Sequence, residues 1–291
     1  MKQMELKALA KINLGLDVLG RRENGYHDVR MIMQSIYLYD EVKIERTEKP
    51  GIELKSNLYF LPTGEGNIAY KAAKMLMEEF QITEGVRITL NKHIPVAAGM
   101  AGGSSNAAAV LFGMNKIFEL KLTQQELMER GVRLGADVPY CIMRGTVLAE
   151  GIGEELTTLT PMPKCFVLIA KPPVSVSTKV VYEALDAKEI VDHPDINGLI
   201  AGLEHRDLKE IAACMGNVLE DVTIPMHPVI EEIKQEMKHS GALNAMMSGS
   251  GPTVFGLFET KSAARKAQER IRKKALAKQV YVTNMHGAGR N

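Results

Sequence analysis

Twelve consecutive uncharged residues could hold phosphate: Pro95, Val96, Ala97, Ala98, Gly99, Met100, Ala101, Gly102, Gly103, Ser104, Ser105 and Asn106. Before them Val86, Ile88 and Leu90 alternate as in a strand, and after them Ala107, Val110, Leu111 and Met114 recur as on a helix. Glycines let backbone N–H groups converge on one point with no Cβ in the way. A helix start adds unsatisfied donors at the positive end of the dipole, with Ser104 or Ser105 expected to cap it. The same composition also serves a tight strand-to-helix turn packed with small residues. No GxxxxGK[ST] pattern occurs, and Lys92 precedes the glycines, so the stretch is not a Walker loop.

A second glycine segment, Met247 to Pro252, precedes the apolar run Thr253 to Phe258. By itself such a run reads as a plain loop. Lys11 interrupts an otherwise small and apolar stretch, and Asp137 stands before Val138-Pro139. An Asp can accept the proton of an alcohol and a nearby Lys can neutralise charge on a transferring group. Each also has a plain reading, Asp137 as a turn cap and Lys11 as a solvated strand-edge charge.

These groups need elements to position them. Glu5 to Val18 and Glu41 to Arg46 read as strands, and the polar turn Arg21 to His27, with Asn24-Gly25 at its centre, projects Tyr26 and His27 at or just beyond a hairpin tip. Asn67 to Phe80 has helical spacing, Thr123 to Glu126 is a capping box opening another helix, and Ser177 or Thr178 can cap a helix running through Leu185. Strands are expected at Thr146 to Ala149, Phe166 to Ala170, Thr253 to Phe258 and Gln279 to Thr283, and helices near Val229 to His239 and Lys261 to Lys274. The pattern is α+β in two lobes, with the boundary between residues 150 and 165.

Composition excludes several classes. The 291 residues include 36 basic and 35 acidic side chains, a net charge of +1, so no global field gathers nucleic acid or an anionic membrane. Ile94 to Asn115 is uncharged and long enough for a bilayer, yet Gly99, Gly102, Gly103, Ser104, Ser105 and Asn106 sit at its centre, and it reads as loop followed by buried helix. Lys7, Lys11 and Asp17 break every apolar segment a signal peptide would need. Three cysteines, with no CxxC pair, suit a reducing cytoplasm. Oligomeric state stays open.

Lys7-Ala8-Leu9-Ala10-Lys11-Ile12-Asn13-Leu14, Pro95 to Ala107 and Ser248 to Pro252 together resemble the three motifs of the GHMP kinase superfamily, named for galactokinase, homoserine, mevalonate and phosphomevalonate kinases. Gly25-Tyr26-His27, Gly102 to Asn106 and Gly135 to Tyr140 are similar to one branch of it, and the similarity runs over nearly the whole chain. Ala97-Ala98 stand where many relatives carry glycines, and Gly15 where the family often has a bulky apolar residue.

The resemblance implies a two-lobed GHMP kinase fold with the active site in the cleft between lobes. Residues 1–160 would form the N-terminal lobe, with the ATP phosphate loop and catalytic residues, and residues 161–291 the C-terminal lobe completing the substrate cleft. It also implies ATP-dependent phosphorylation, with Mg²⁺, of the 2-hydroxyl of a cytidine-diphosphate-linked methylerythritol in the non-mevalonate isoprenoid route. Asp137 would take the hydroxyl proton, and Lys11 would hold Asp137 ionised and offset phosphoryl charge. Residues 95–105 would bind the ATP phosphates, the hydroxyl of Ser104 or Ser105 would approach the metal, and Asn67, Lys92 and Asn106 would lie near adenine, Asn67 and Asn106 serving equally well as helix caps. Tyr26 and Tyr182 would sandwich cytosine, His27 would bond its edge, and Asn13 and Thr178 would complete the site for that small-molecule substrate.

Overall fold

Ala8 to Val18 are buried without interruption, so this run forms a strand covered on both faces, as its lack of alternation demands. The computed structural model describes residues 2–188 and 190–287; residues 1, 189 and 288–291 of the two expected lobes lie outside that range. In chain order the elements are β1 (Gln3–Arg21), β2 (His27–Thr47), β3 (Ile52–Ser56), α1 (Ile68–Glu79), β4 (Gly85–Asn91), α2 (Gly102–Ile117), α3 (Gln124–Val132) and α4 (Asp137–Met143). There follow β5 (Thr146–Glu150), β6 (Glu155–Thr158), β7 (Phe166–Lys171), α5 (Thr178–Asp186), α6 (Ile196–His205), α7 (Leu208–Cys214) and α8 (Glu220–Met226). The last are α9 (Val229–His239), β8 (Asn244–Met247), β9 (Val254–Phe258), α10 (Lys261–Lys273) and β10 (Gln279–Asn284). Among the described residues no helix is long and apolar enough to cross a membrane.

The chain divides into two compact units that interleave in sequence. The first takes the residues up to Ala10, then Leu38–Val96 and Ala101–Arg144; the second takes Lys11–Tyr37, Ala97–Met100 and the chain from Gly145. This partition differs in kind from a chain-order division at residue 160, because β1 and β2 each contribute to both units.

In the first unit β2 pairs antiparallel with β4, Glu41 opposite Asn91 and Thr47 opposite Gly85, and β3 pairs parallel with β4. Helix α1 packs on α2, and α4 on both α2 and α3. Ile44, Leu76, Ile88, Val110, Leu111 and Met114 fill the core, each worth roughly 1.5–3 kcal/mol on full burial. Two expected caps hold: the Asn67 side chain accepts from Ala69 N–H at 3.0 Å, and Thr123 and Glu126 form the reciprocal capping box. One does not. Helix α2 starts at Gly102, before Ser104 and Ser105, because Ala101 at its N-cap adopts a left-handed backbone (φ 54) that turns the chain into the helix without any side-chain cap bond.

In the second unit the first half of β2 pairs with β5, Met31 opposite Ala149, and β5 pairs with β6. A separate antiparallel sheet runs β10-β7-β9-β8, with α9 and α10 packed on it through Ile233, Met237, Ala264, Ala267 and Ile271. The expected hairpin turn is present: Arg22 N–H donates to Tyr26 C=O at 2.7 Å, and Gly25 takes φ 84, the left-handed region glycine favours. The departure at Gly15 also has a physical reason. A Cβ there would stand 2.5 Å from Leu199 Cδ1 and 2.7 Å from Ile196 Cδ1, so α6 fills the space a larger side chain would take.

Candidate functional site

In the second unit, Lys11 is buried on β1 and its Nζ donates to Asn13 Oδ1 at 2.8 Å. Asn13, fully buried, directs its Nδ2 toward Met31 Sδ at 3.2 Å. A buried ammonium is costly, so its position is fixed by such partners. Residues 97–100 belong to the same unit. Ala97 (φ 50) takes a backbone conformation that glycine adopts more readily, which fits the expectation of glycine at this point in relatives. The Gly99 carbonyl accepts from Ser248 Oγ at 3.1 Å, and a Cβ on Gly99 would meet Ser248 O at 2.2 Å, so only glycine allows this approach.

The second glycine segment is the β8–β9 hairpin, and its shape is fixed from one side chain that the sequence did not single out. Asn217 Nδ2 donates to Met247 O at 3.0 Å and to Gly249 O at 2.9 Å. Glu220 accepts from Met247 N–H at 2.7 Å and lies 2.7 Å from Lys234 Nζ, yet burial pushes its carboxyl above the ordinary value. Thr178 Oγ1 lies 2.9 Å from Ser250 Oγ, tying the start of α5 to the same hairpin. The expected cap position, Ser177, makes no side-chain cap bond.

Tyr26, His27 and Tyr182 also fall in the second unit. Val181 and Leu185 form the buried side of α5, leaving Tyr182 half-buried with its ring 4.7 Å from that of His27. Tyr26 is exposed at the hairpin tip. His27 Nε2 lies 2.6 Å from Asp186 Oδ1, a second residue that sequence reasoning missed. Its partner is 159 positions away, which no local pattern reveals.

In the first unit, Lys92, Asn106 and Asp40 form one buried network. Lys92 Nζ pairs with Asp40 Oδ2 and donates to Asn106 Oδ1 at 2.8 Å, and Asn106 Nδ2 donates to Asp40 Oδ2 at 2.9 Å. Asp40 Oδ1 accepts from the N–H groups of His93 and Ile94 at 2.7 and 2.8 Å. Fully buried Asp40 thus anchors the segment leading to the glycine loop and the first turns of α2. Asn106 is a member of this network and not a helix cap. Ser105 N–H makes the first intrahelical bond, to Ala101 O at 2.8 Å, so the N–H groups of Gly102, Gly103 and Ser104 precede that ladder, as a phosphate cradle requires. Asp137 opens α4, where a negative charge complements the helix dipole. Lys11 belongs to the second unit and Asp137 to the first.

Two family models match the chain: the GHMP kinases N terminal domain over residues 67–145 and the GHMP kinases C terminal model over residues 199–277. A 4-diphosphocytidyl-2-C-methyl-D-erythritol kinase of Lachnospira eligens is 57% identical over 97% of this chain and 98% of its own length. The chain belongs to the 4-diphosphocytidyl-2-C-methyl-D-erythritol kinase family of GHMP kinases. A family member from Caldicellulosiruptor bescii is 50% identical over 96% of this chain and 97% of its own length. The crystal structure of a 4-(cytidine 5'-diphospho)-2C-methyl-D-erythritol kinase matches with a TM-score of 0.84 at 32% identity, covering 98% of this chain and all of that one. L. major mevalonate kinase, in complex with R-mevalonate, shares the fold at a TM-score of 0.80 and 16% identity, over 99% of this chain and 98% of its own. The expected α+β GHMP kinase fold is therefore the fold of this chain, and as a member of that family it is a phosphotransferase with ATP as co-substrate.

Proposed function

We propose that this kinase phosphorylates the 2-hydroxyl of 4-diphosphocytidyl-2-C-methyl-D-erythritol in the non-mevalonate isoprenoid route, with Asp137 and Lys11 as its catalytic residues. Asp137 takes the hydroxyl proton as the alcohol oxygen bonds the γ-phosphorus, and the bond to the β,γ-bridging oxygen breaks to release ADP. Lys11, held by Asn13, supplies a fixed positive charge for the transferring group. Residues 95–105 hold the phosphates, with the backbone N–H groups of Gly102, Gly103 and Ser104 as donors, and Asn67, Lys92 and Asn106 frame adenine, the last two fixed by Asp40. The hydroxyl oxygen of Ser105, in the first turn of α2, suits a hard cation. Ser105 and the nucleotide would hold Mg²⁺, which would supply charge neutralisation at the phosphates. Residues 1–160 and 161–291 act as the two functional lobes, a division that the N-terminal model ending at 145 and the C-terminal model starting at 199 support. Three cysteines with no CxxC pair support a cytoplasmic home.

The observation that carries the substrate assignment, beyond the relatives' names, is the His27–Tyr182 ring contact beside exposed Tyr26. Stacking on an aromatic face is worth ~1–3 kcal/mol per base. Tyr182→Phe keeps that face and should retain substrate affinity, whereas Tyr182→Ala should raise KM for the cytidine substrate ~5-fold to 150-fold on that energy scale. Steady-state kinetics with unchanged KM in Tyr182→Ala would remove the clamp.

The phosphate loop has a cleaner test at Gly103 than at Gly99. A Cβ on Gly103 meets Ile68 Cδ1 at 3.4 Å, an ordinary contact, so Gly103→Ala leaves the fold intact. Its methyl group should obstruct phosphate and weaken ATP binding about tenfold, roughly 1.4 kcal/mol, in calorimetry. Unchanged ATP affinity would move the phosphates away from Gly103.

A further inference from the structure

Asp186 is the last residue of α5, where a carboxylate opposes the helix dipole, so helix stability does not explain it. Both of its oxygens are engaged. Oδ1 lies 2.6 Å from His27 Nε2, and Oδ2 lies 3.2 Å from Arg21 Nη1. Arg21 ends β1 and His27 opens β2, so this carboxylate ties both sides of the hairpin whose tip carries Tyr26. The His27 side chain is only 9% exposed, and among the described residues its Nδ1 has no partner.

An ionised carboxylate only accepts hydrogen bonds, so the ring atom facing Asp186 must be N–H. In a neutral imidazole this leaves Nδ1 with a lone pair. We infer that Asp186 is a positioning residue that fixes His27 in the Nε2–H form, so that Nδ1 accepts from the 4-amino group of cytosine and rejects uracil. Uracil presents a carbonyl oxygen where cytosine presents that amino group, and two acceptors facing each other repel. Stacking cannot make this distinction, because every base offers a similar face. The inference rests on the reading that His27 and Tyr182 hold the base.

The test compares wild type, Asp186→Asn, Asp186→Ala and His27→Ala on the cytidine substrate and its uridine analogue. An Asn can turn its amide N–H toward Nε2 and allow the Nδ1–H form. Asp186→Asn should therefore lower the cytidine-to-uridine ratio of kcat/KM about tenfold or more, with the KM for ATP unchanged. Asp186→Glu should recover part of the ratio. Nitrogen-15 spectra of histidine-labelled enzyme, with His27→Ala for assignment, should show Nε2 protonated in wild type and a mixed form in Asp186→Asn. If Asp186→Asn and Asp186→Ala both keep full discrimination while His27→Ala loses it, Asp186 has no such role and the base clamp stands. If His27→Ala also keeps discrimination, the clamp itself fails. Should the Asp186 variants not fold, the wild-type spectrum decides, and a protonated Nδ1 there overturns the inference.

Discussion

Asp137→Asn is expected to lower kcat by ~10²–10⁴-fold, the contribution typical of a general base, while ATP affinity stays close to that of wild type. The amide preserves the shape of the side chain at the start of α4 but cannot take a proton from the alcohol. Rapid assay of ADP release gives kcat, and calorimetry gives the nucleotide affinity independently. A near-normal kcat would reduce Asp137 to a helix-opening residue. An equal loss of turnover and ATP affinity would place it among the nucleotide contacts instead.

The second large effect concerns stability. Asp40→Ala removes the carboxylate that pairs with Lys92, and leaves three donors without it: the Asn106 amide and the N–H groups of His93 and Ile94. Breaking a buried ion pair by removing one partner costs ~3–5 kcal/mol, because the other charge stays buried. Lys92 is that charge, its side chain 5% exposed. Denaturant unfolding should show the midpoint falling with an unchanged slope. Lys92→Met in the Asp40→Ala background should recover part of the loss, since the stranded ammonium is then gone. A loss below about 1 kcal/mol in the single variant would show that the network is better solvated than its burial implies.

The order of elements was legible wherever a local rule fixes an end or a face. Asn24-Gly25 marked the hairpin, Asn67 and the Thr123–Glu126 box marked helix starts, and Val86, Ile88 and Leu90 marked β4. The first half of β2 was not legible. Met31, Ile32, Met33, Gln34, Ser35 and Ile36 are all buried, so both faces lack the polar alternation that reveals a strand. Helix α6 carries Gly198 and Gly202 in its interior, residues that weaken a helical pattern. Cβ atoms there would meet Asp195 Oδ2 at 2.3 Å and Ile211 Cγ1 at 3.0 Å, so the glycines serve packing. The start of α2 was misplaced because Ala101, an ordinary residue, takes a conformation usually left to glycine.

The motifs pointed to the two glycine segments, the hairpin and Tyr182, but not to the side chains that support them. Asp40, Asp186 and Asn217 belong to no local motif. Their partners are 52, 159 and 30 residues distant, so only tertiary structure reveals them. A chain read locally shows a motif more readily than the distant side chains that hold it.

Proton-coupled phosphorus-31 NMR of the product reads directly whether the γ-phosphoryl of ATP goes to one hydroxyl of one alcohol. The 2-carbon of the methylerythritol unit carries a methyl group and no hydrogen. A phosphate on its hydroxyl has no proton three bonds away, so its resonance should be a singlet, rising in step with ADP, and absent when homoserine or mevalonate replaces the cytidine substrate. A doublet or triplet would place the phosphate on a different hydroxyl, and product from homoserine or mevalonate alone would assign the chain another alcohol; either result contradicts the account.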